Sequence, residues 1–227
     1  MKNIVVVGAS RGIGKELVKQ LSAQHNVLAF SRNQPKLDEL KKETSASVHA
    51  IDLTSESFKD DFTAAVAAKF DSVDILINNA GYLVNKPFLE TTLEDIKQTF
   101  ETNVFGLIQS CQAIIPFMEA NGGHIVNIGS IGGIQGSVKF PGIGVYSASK
   151  AAVTGYTECL AEELKETNIQ VNSLALGAVQ TEMLAEAFPG YEAPTSPEEM
   201  ATYISDFALN GNKMMHGKII PVSKSTP

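Results

Sequence analysis

Long apolar runs are scarce in this chain, and with them the usual means of entering a membrane. The N-terminal run Ile4-Val5-Val6-Val7 follows a single lysine and stops at Gly8, too short for a signal-peptide core or a span. Cysteine is nearly absent. Cys111 and Cys159 have neither paired nor metal-ligand spacing, and both fall in predicted helices, so they read as buried free thiols. The four histidines, His25, His49, His124 and His216, are scattered without a ligand pattern, and no metal site is expected. Positive charge is in deficit, with 18 Lys and Arg against 25 Asp and Glu and a net charge of −7. That balance argues against broad binding to nucleic acid or to an anionic membrane, while leaving room for a local basic pocket. A reducing cytoplasm is the expected compartment.

What is present suits one domain spanning 1–227. A length of 227 residues, 44% hydrophobic and 19% charged, is enough to bury a full core, and no linker or internal repeat interrupts it. Strand-like β-branched and aliphatic runs recur at 4–7, 27–30, 48–51, 73–77, 124–128, 169–176 and 218–222. Helical patterns fall between several of them: 15–21, 36–43, one opening at Ser55 as a possible cap, and a long one over 93–118 bent near Gly106 and Pro116. Such alternation predicts an α/β fold: a doubly wound parallel sheet of about seven strands with helices on both faces. Pro221 places the last strand at an edge or end of the sheet.

The first strand runs into Gly8-Ala-Ser10-Arg11-Gly12-Ile13-Gly14 and then a helix. Glycines there permit a tight turn and close backbone approach, and the helix N-terminus offers amides to an anion. Glycine also serves ordinary turns; the strand–turn–helix order is the context that favours a phosphate site. The second strand ends in Ser31-Arg32, with no acid from Asn26 to Gln34. A carboxylate at that position selects a free ribose 2′-hydroxyl, and an arginine accepts a 2′-phosphate. Arg32 and Arg11 together favour NADP(H) over NAD(H); two solvated surface arginines are the plain alternative. Gly8, Arg32, Asp52, Asn79 and Gly81 all fall at carboxyl ends of predicted strands, where such sheets bind ligands.

Tyr146-Ser-Ala-Ser-Lys150 opens a predicted helix, which would stack an ammonium one turn from a phenol. A nearby cation makes tyrosine a usable acid or base. Tyr82-Leu-Val-Asn-Lys86 repeats the spacing, but Lys86 precedes Pro87 and is pushed out of the helical region.

Taken together, Gly8-x-x-x-Gly12-Ile13-Gly14, Asp52-Leu53, Asn79-Ala80-Gly81, Asn103, Ser130, Tyr146-x-x-x-Lys150 and Gly177-x-Val179-x-Thr181 resemble the compact, single-domain short-chain dehydrogenases/reductases. The resemblance runs in family order over nearly the whole chain. It implies a Rossmann-type fold, a nicotinamide cofactor, carbonyl/alcohol interconversion, and homodimers or homotetramers built through the long helices starting near Leu93 and Tyr146. By the same carry-over, Tyr146 donates the proton, and Lys150 lowers its pKa and bonds the nicotinamide ribose. Ser130 holds the substrate oxygen, and Asn103 positions a water. Asp52 binds the adenine amino group, and Val179 and Thr181 meet the nicotinamide.

Three departures stand out: Val7 in place of threonine, Leu176 in place of proline, and a longer stretch between Ser130 and Tyr146, containing Val138-Lys-Phe-Pro-Gly142. The last borders the substrate and is expected to shape specificity. The segment 182–200, with Met183, Leu184, Phe188 and Tyr191, reads as a short apolar lid over a small or medium carbonyl compound. The expectation is an NADP(H)-dependent oxidoreductase. A catalytically silent dinucleotide-binding sensor or scaffold is the alternative. A sugar-nucleotide epimerase would need more chain after Thr181 than is available.

Overall fold

The computed structural model describes residues 1–224. The first half alternates β1 (Asn3–Val7), α1 (Gly12–Ser22), β2 (Asn26–Ser31), α2 (Gln34–Glu43), β3 (Ser47–Ala50), α3 (Phe58–Ala67) and β4 (Ile75–Asn78). Then come α4 (Leu93–Phe100), a π-helical turn (Glu101–Phe105), α5 (Gly106–Met118), β5 (Gly123–Ser130) and α6 (Gly144–Glu163). The chain finishes with β6 (Ile169–Leu176), α7 (Glu182–Ala187), α8 (Pro197–Asn210) and β7 (Ile219–Val222). The strands form one parallel sheet in the order β3-β2-β1-β4-β5-β6-β7.

Strand periodicity builds the three layers. Ile4 and Val6 of β1 face a core shared with α1, α2 and α8, whereas Val5 and Val7 face one shared with α3, α5 and α6. Burying each such side chain contributes about 1.5–3 kcal/mol. Since both faces are covered, the strands carry unbroken apolar runs. The order reverses between β1 and β4, so their carboxyl ends open a crevice. Pro221, which has no N–H to donate, lies on edge strand β7 beside Ala175.

Three local details differ from the expectation. The helix expected from Ser55 begins at Phe58. Ser55 and Ser57 instead bond each other at 3.0 Å in the preceding turn, and Ser57 donates to Asp61 at 2.7 Å. In the 93–118 run, Pro116 sits inside α5 without ending it, and the break in bonding pattern is the π turn. Cys111 is buried, but Cys159 is exposed. The core face of α6 runs through Val153, Thr157, Leu160 and Ala161, which turns position 159 outward.

Among the described residues, no helix is long and apolar enough to cross a membrane. Among the same described residues, no group of three or more His, Cys, Asp or Glu is placed to hold a metal ion.

Candidate active site

A cleft of about 480 Å³ opens at the carboxyl ends of the central strands. Its floor is the glycine turn. Gly8 has φ +91°, and a Cβ there would come 2.5 Å from the Ala80 backbone. At Gly14 a Cβ would overlap the Gly8 carbonyl oxygen, so α1 packs directly onto the turn. Asn79 locks this approach, its Nδ2 donating to the Gly8 carbonyl at 2.7 Å. Ser10, Arg11, Gly12, Ile13, Asn79, Ala80 and Gly81 line the cleft beside the turn; Gly14 lies beneath and serves packing. Val7, the first departure from the family pattern, is buried below Gly8, which bonds through its amide to the Phe30 carbonyl at 2.8 Å.

At the β2 end of the cleft, Ser31 and Arg32 line the wall, and Arg32 is exposed. Lys36 joins them from the first turn of α2, which Asn33 caps by accepting from the Lys36 amide at 3.0 Å. Sequence reasoning read Lys36 only as a helix residue. The signal was a third base one turn after Arg32 with no acid before it. Leu53 lines the cleft, but Asp52 does not. The Asp52 Oδ1 accepts from the Thr54 amide and hydroxyl at 3.0 and 2.9 Å, closing a local turn.

Ser130, Tyr146 and Lys150 converge where β5 ends and α6 begins. Lys150 is buried, its Nζ 5.8 Å from the Tyr146 ring centroid and donating to the Ile128 carbonyl at 2.8 Å. Burial pushes the Lys150 ammonium down to about 8. Burial likewise pushes the Tyr146 phenol up to about 12, and a hydrogen bond with Ser130 pulls the other way. Part of Tyr146 faces the open cleft, where water softens that push. The resemblance gives Lys150 the role of lowering this phenol; the lowering contribution seen here comes from Ser130. The ammonium lies over the ring and is committed to a backbone carbonyl, not to the hydroxyl.

Asn103 is buried in the π turn. Its Nδ2 donates to the Tyr82 carbonyl and the Ser149 hydroxyl, both at 2.9 Å, and its Oδ1 accepts from the Tyr82 amide at 2.7 Å. Ser149 in turn donates to the Tyr146 carbonyl at 2.7 Å. The asparagine thus pins the segment after Gly81 to the first turn of α6. The second Tyr-x-x-x-Lys spacing forms no helical pair: Tyr82 and Lys86 are in no regular element, and Lys86 bonds Asp95 at 2.7 and 2.8 Å.

Val179, Thr181, Met183 and Leu184 complete the wall, with Leu176 from the end of β6. Thr181 caps α7 by accepting from the Leu184 amide at 3.2 Å, placing the lid directly over Gly12. Tyr191, also expected in the lid, is half exposed and, like Phe188, lies outside the lining. Two side-chain ties hold α7 of the lid: Asn85 Nδ2 donates to the Ala187 carbonyl at 2.7 Å, and Arg11 pairs with Glu186. Farther along, Gln180 donates its backbone amide to the Thr195 carbonyl at 2.8 Å, and its Oε1 accepts from the Ala193 amide at 2.6 Å. Across the cleft, Lys139 of the long loop donates to the Gly132 and Ile134 carbonyls at 2.8 and 2.6 Å, holding the turn that follows Ser130.

A family model described as short chain dehydrogenase matches residues 2–192, and the chain belongs to that family, a class of oxidoreductases. Among its relatives, carbonyl reductase family member 4 of Danio rerio is 34% identical over 80% of this chain and 77% of its own length. The L-2,3-butanediol dehydrogenase of Corynebacterium glutamicum is 31% identical over 97% of this chain and 96% of that one. The fold is also close to the crystal structure of 3-ketoacyl-(acyl-carrier-protein) reductase from Brucella melitensis complexed with NADH. The TM-score is 0.88 at 24% identity, covering 97% of this chain and 96% of that one.

Proposed function

We propose that the protein is an NADP(H)-dependent oxidoreductase that interconverts a small carbonyl compound and its alcohol in a reducing cytoplasm. The observation carrying this reading is that Tyr146 and Lys150 line the same cleft as the glycine turn, with Ser130 bonded to the phenol. The cleft suits a dinucleotide: Gly8 and Gly14 keep the turn free of side-chain bulk, and Arg11, Arg32 and Lys36 gather positive charge where a ribose 2′-phosphate would lie. When bound, the nicotinamide supplies or accepts the hydride.

The chain's own residues handle the proton. With the phenol held above its ordinary value, Tyr146 is fully protonated at neutral pH and suits proton donation to a carbonyl oxygen. Ser130 shares that oxygen and stabilises its growing negative charge. Lys150, at about 8, is mostly charged near neutrality and offers its field to the phenolate left behind. Asn103 is a positioning residue for α6. Val179 and Thr181 would border the nicotinamide, and Asp52, whose Oδ1 closes the turn with Thr54, would offer Oδ2 to the adenine amino group. The exposed free thiol of Cys159 supports a reducing compartment. A silent binder of the same fold has no use for the Tyr146 hydroxyl. Tyr146→Phe should lower kcat for NADPH-driven carbonyl reduction by about 10²–10⁴-fold with cofactor binding kept. Undiminished turnover would refute the assigned acid.

A further inference from the structure

Arg11 is not idle in the glycine turn. Its guanidinium grips Glu186 of α7 with both arms, Nη2 lying 3.1 Å from Oε2 while Nη1 pairs with Oε1. The two side chains are 37% and 62% exposed, so an incoming anion can reach the pair. The Glu186 carboxyl is held below its usual range by Arg11, with a smaller contribution from Lys36, so the acid sits within the field of two of the cations that line the cleft. The Nη1/Nη2 edge that holds Glu186 binds one bidentate anion at a time.

We propose that Glu186 is a cofactor-specificity residue: it occupies the Arg11 fork as a stand-in anion that a ribose 2′-phosphate must displace. The inference rests on the NADP(H) reading and deepens it. A phosphate carrying close to two charges outcompetes a single carboxylate, but the exchange reduces its net gain. An NADH molecule has no 2′-phosphate and leaves the pair intact. Since Glu186 lies on α7 of the lid, its displacement also removes one of the two side-chain ties that hold α7 and leaves that from Asn85 to Ala187. The acid thus narrows the preference between the two dinucleotides and makes loosening of α7 a consequence of phosphate binding.

The test uses the full chain and Glu186→Gln, which keeps the size of the side chain and removes its charge at an exposed position. Dissociation constants for NADPH and NADH are measured by the fluorescence of the reduced nicotinamide. The variant should bind NADPH about three- to fivefold more tightly, the range set by an exposed ion pair, with NADH affinity unchanged. Limited proteolysis within 182–200 should be faster for native protein with NADPH than with NADH. A variant whose NADPH/NADH ratio equals the native ratio overturns the inference. Equal weakening of both dinucleotides does so as well, since it would make the pair a clasp over any dinucleotide. Native protein binding NADH more tightly than NADPH instead overturns the cofactor reading, whatever the variant does.

Discussion

An ammonium enclosed by protein carries a cost that pH can relieve, and Lys150 makes that cost measurable. Its folded-state value of about 8 lies below the ordinary 10.5, so the penalty is complete below about 8. Between about 8 and 10.5 the unfolded chain holds more protons than the folded one, and stability rises with pH. The full window corresponds to roughly 3 kcal/mol. Tyr146 acts oppositely but only above 10.0, where its folded-state value exceeds the unfolded one. Denaturant unfolding between pH 7 and 10 should therefore show a rise for native protein that Lys150→Met lacks. The variant should also be ~1–3 kcal/mol more stable at pH 7 and inactive. Parallel pH curves for the two proteins would defeat this account. At this scale Tyr146, Lys150 and Ser130 were legible because chain order placed them beside one another after a strand. The placement of the Lys150 ammonium against the Ile128 carbonyl was not, because it depends on how a flexible side chain packs. The exposure of Cys159 depended on helical phase and the closure of Asp52 onto Thr54 on a local bond, neither of which residue type reveals.

Elements carry the site through a few ties that sequence periodicity cannot register. The π turn that buries Asn103 differs from an α-helix by one extra residue in the hydrogen-bonded ring, so a helical pattern over 93–118 passes through it unmarked. The long loop after Ser130 was recognised as extra length, but not how it is anchored. Lys139 Nζ bonds the Gly132 and Ile134 carbonyls and the Ser137 hydroxyl at 2.7 Å, while the Gly132 amide donates to Ser130 Oγ at 3.2 Å. One ammonium thus steadies the turn that aims the serine. Lys139→Met should raise KM for the carbonyl substrate several-fold and cost about 1 kcal/mol of stability, with NADPH affinity intact. Lys139→Arg should recover part of the loss. If substrate and cofactor affinity fall together, the loop is a general support and not a substrate wall.

The whole molecule was the most legible level, because apolar runs covered on both faces and helices between them leave few arrangements other than a doubly wound sheet. Less of the surface could be anticipated. Phe88, Leu89, Leu93 and Phe105 are 88%, 92%, 66% and 53% exposed, and Ile96 adds to them on α4. Exposed apolar side chains concentrated along one stretch mark an association surface. They support the reading of a homodimer or homotetramer joined through the helices from Leu93 and Tyr146. A stable interface of about 1,200–2,000 Å² would need the apolar residues of both copies. The consequence reaches the cleft, since the π turn continuous with α4 holds Asn103, and Asn103 holds the first turn of α6 through Ser149. Leu93→Glu combined with Phe105→Glu should therefore shift the sedimentation of the protein to monomer at micromolar concentration. It should also lower kcat with the core folded, because α4 and the π turn would lose the surface that steadies them. Native protein sedimenting as a monomer at the same concentration would remove this surface from the account of the site and leave Asn103 positioned by the single chain alone.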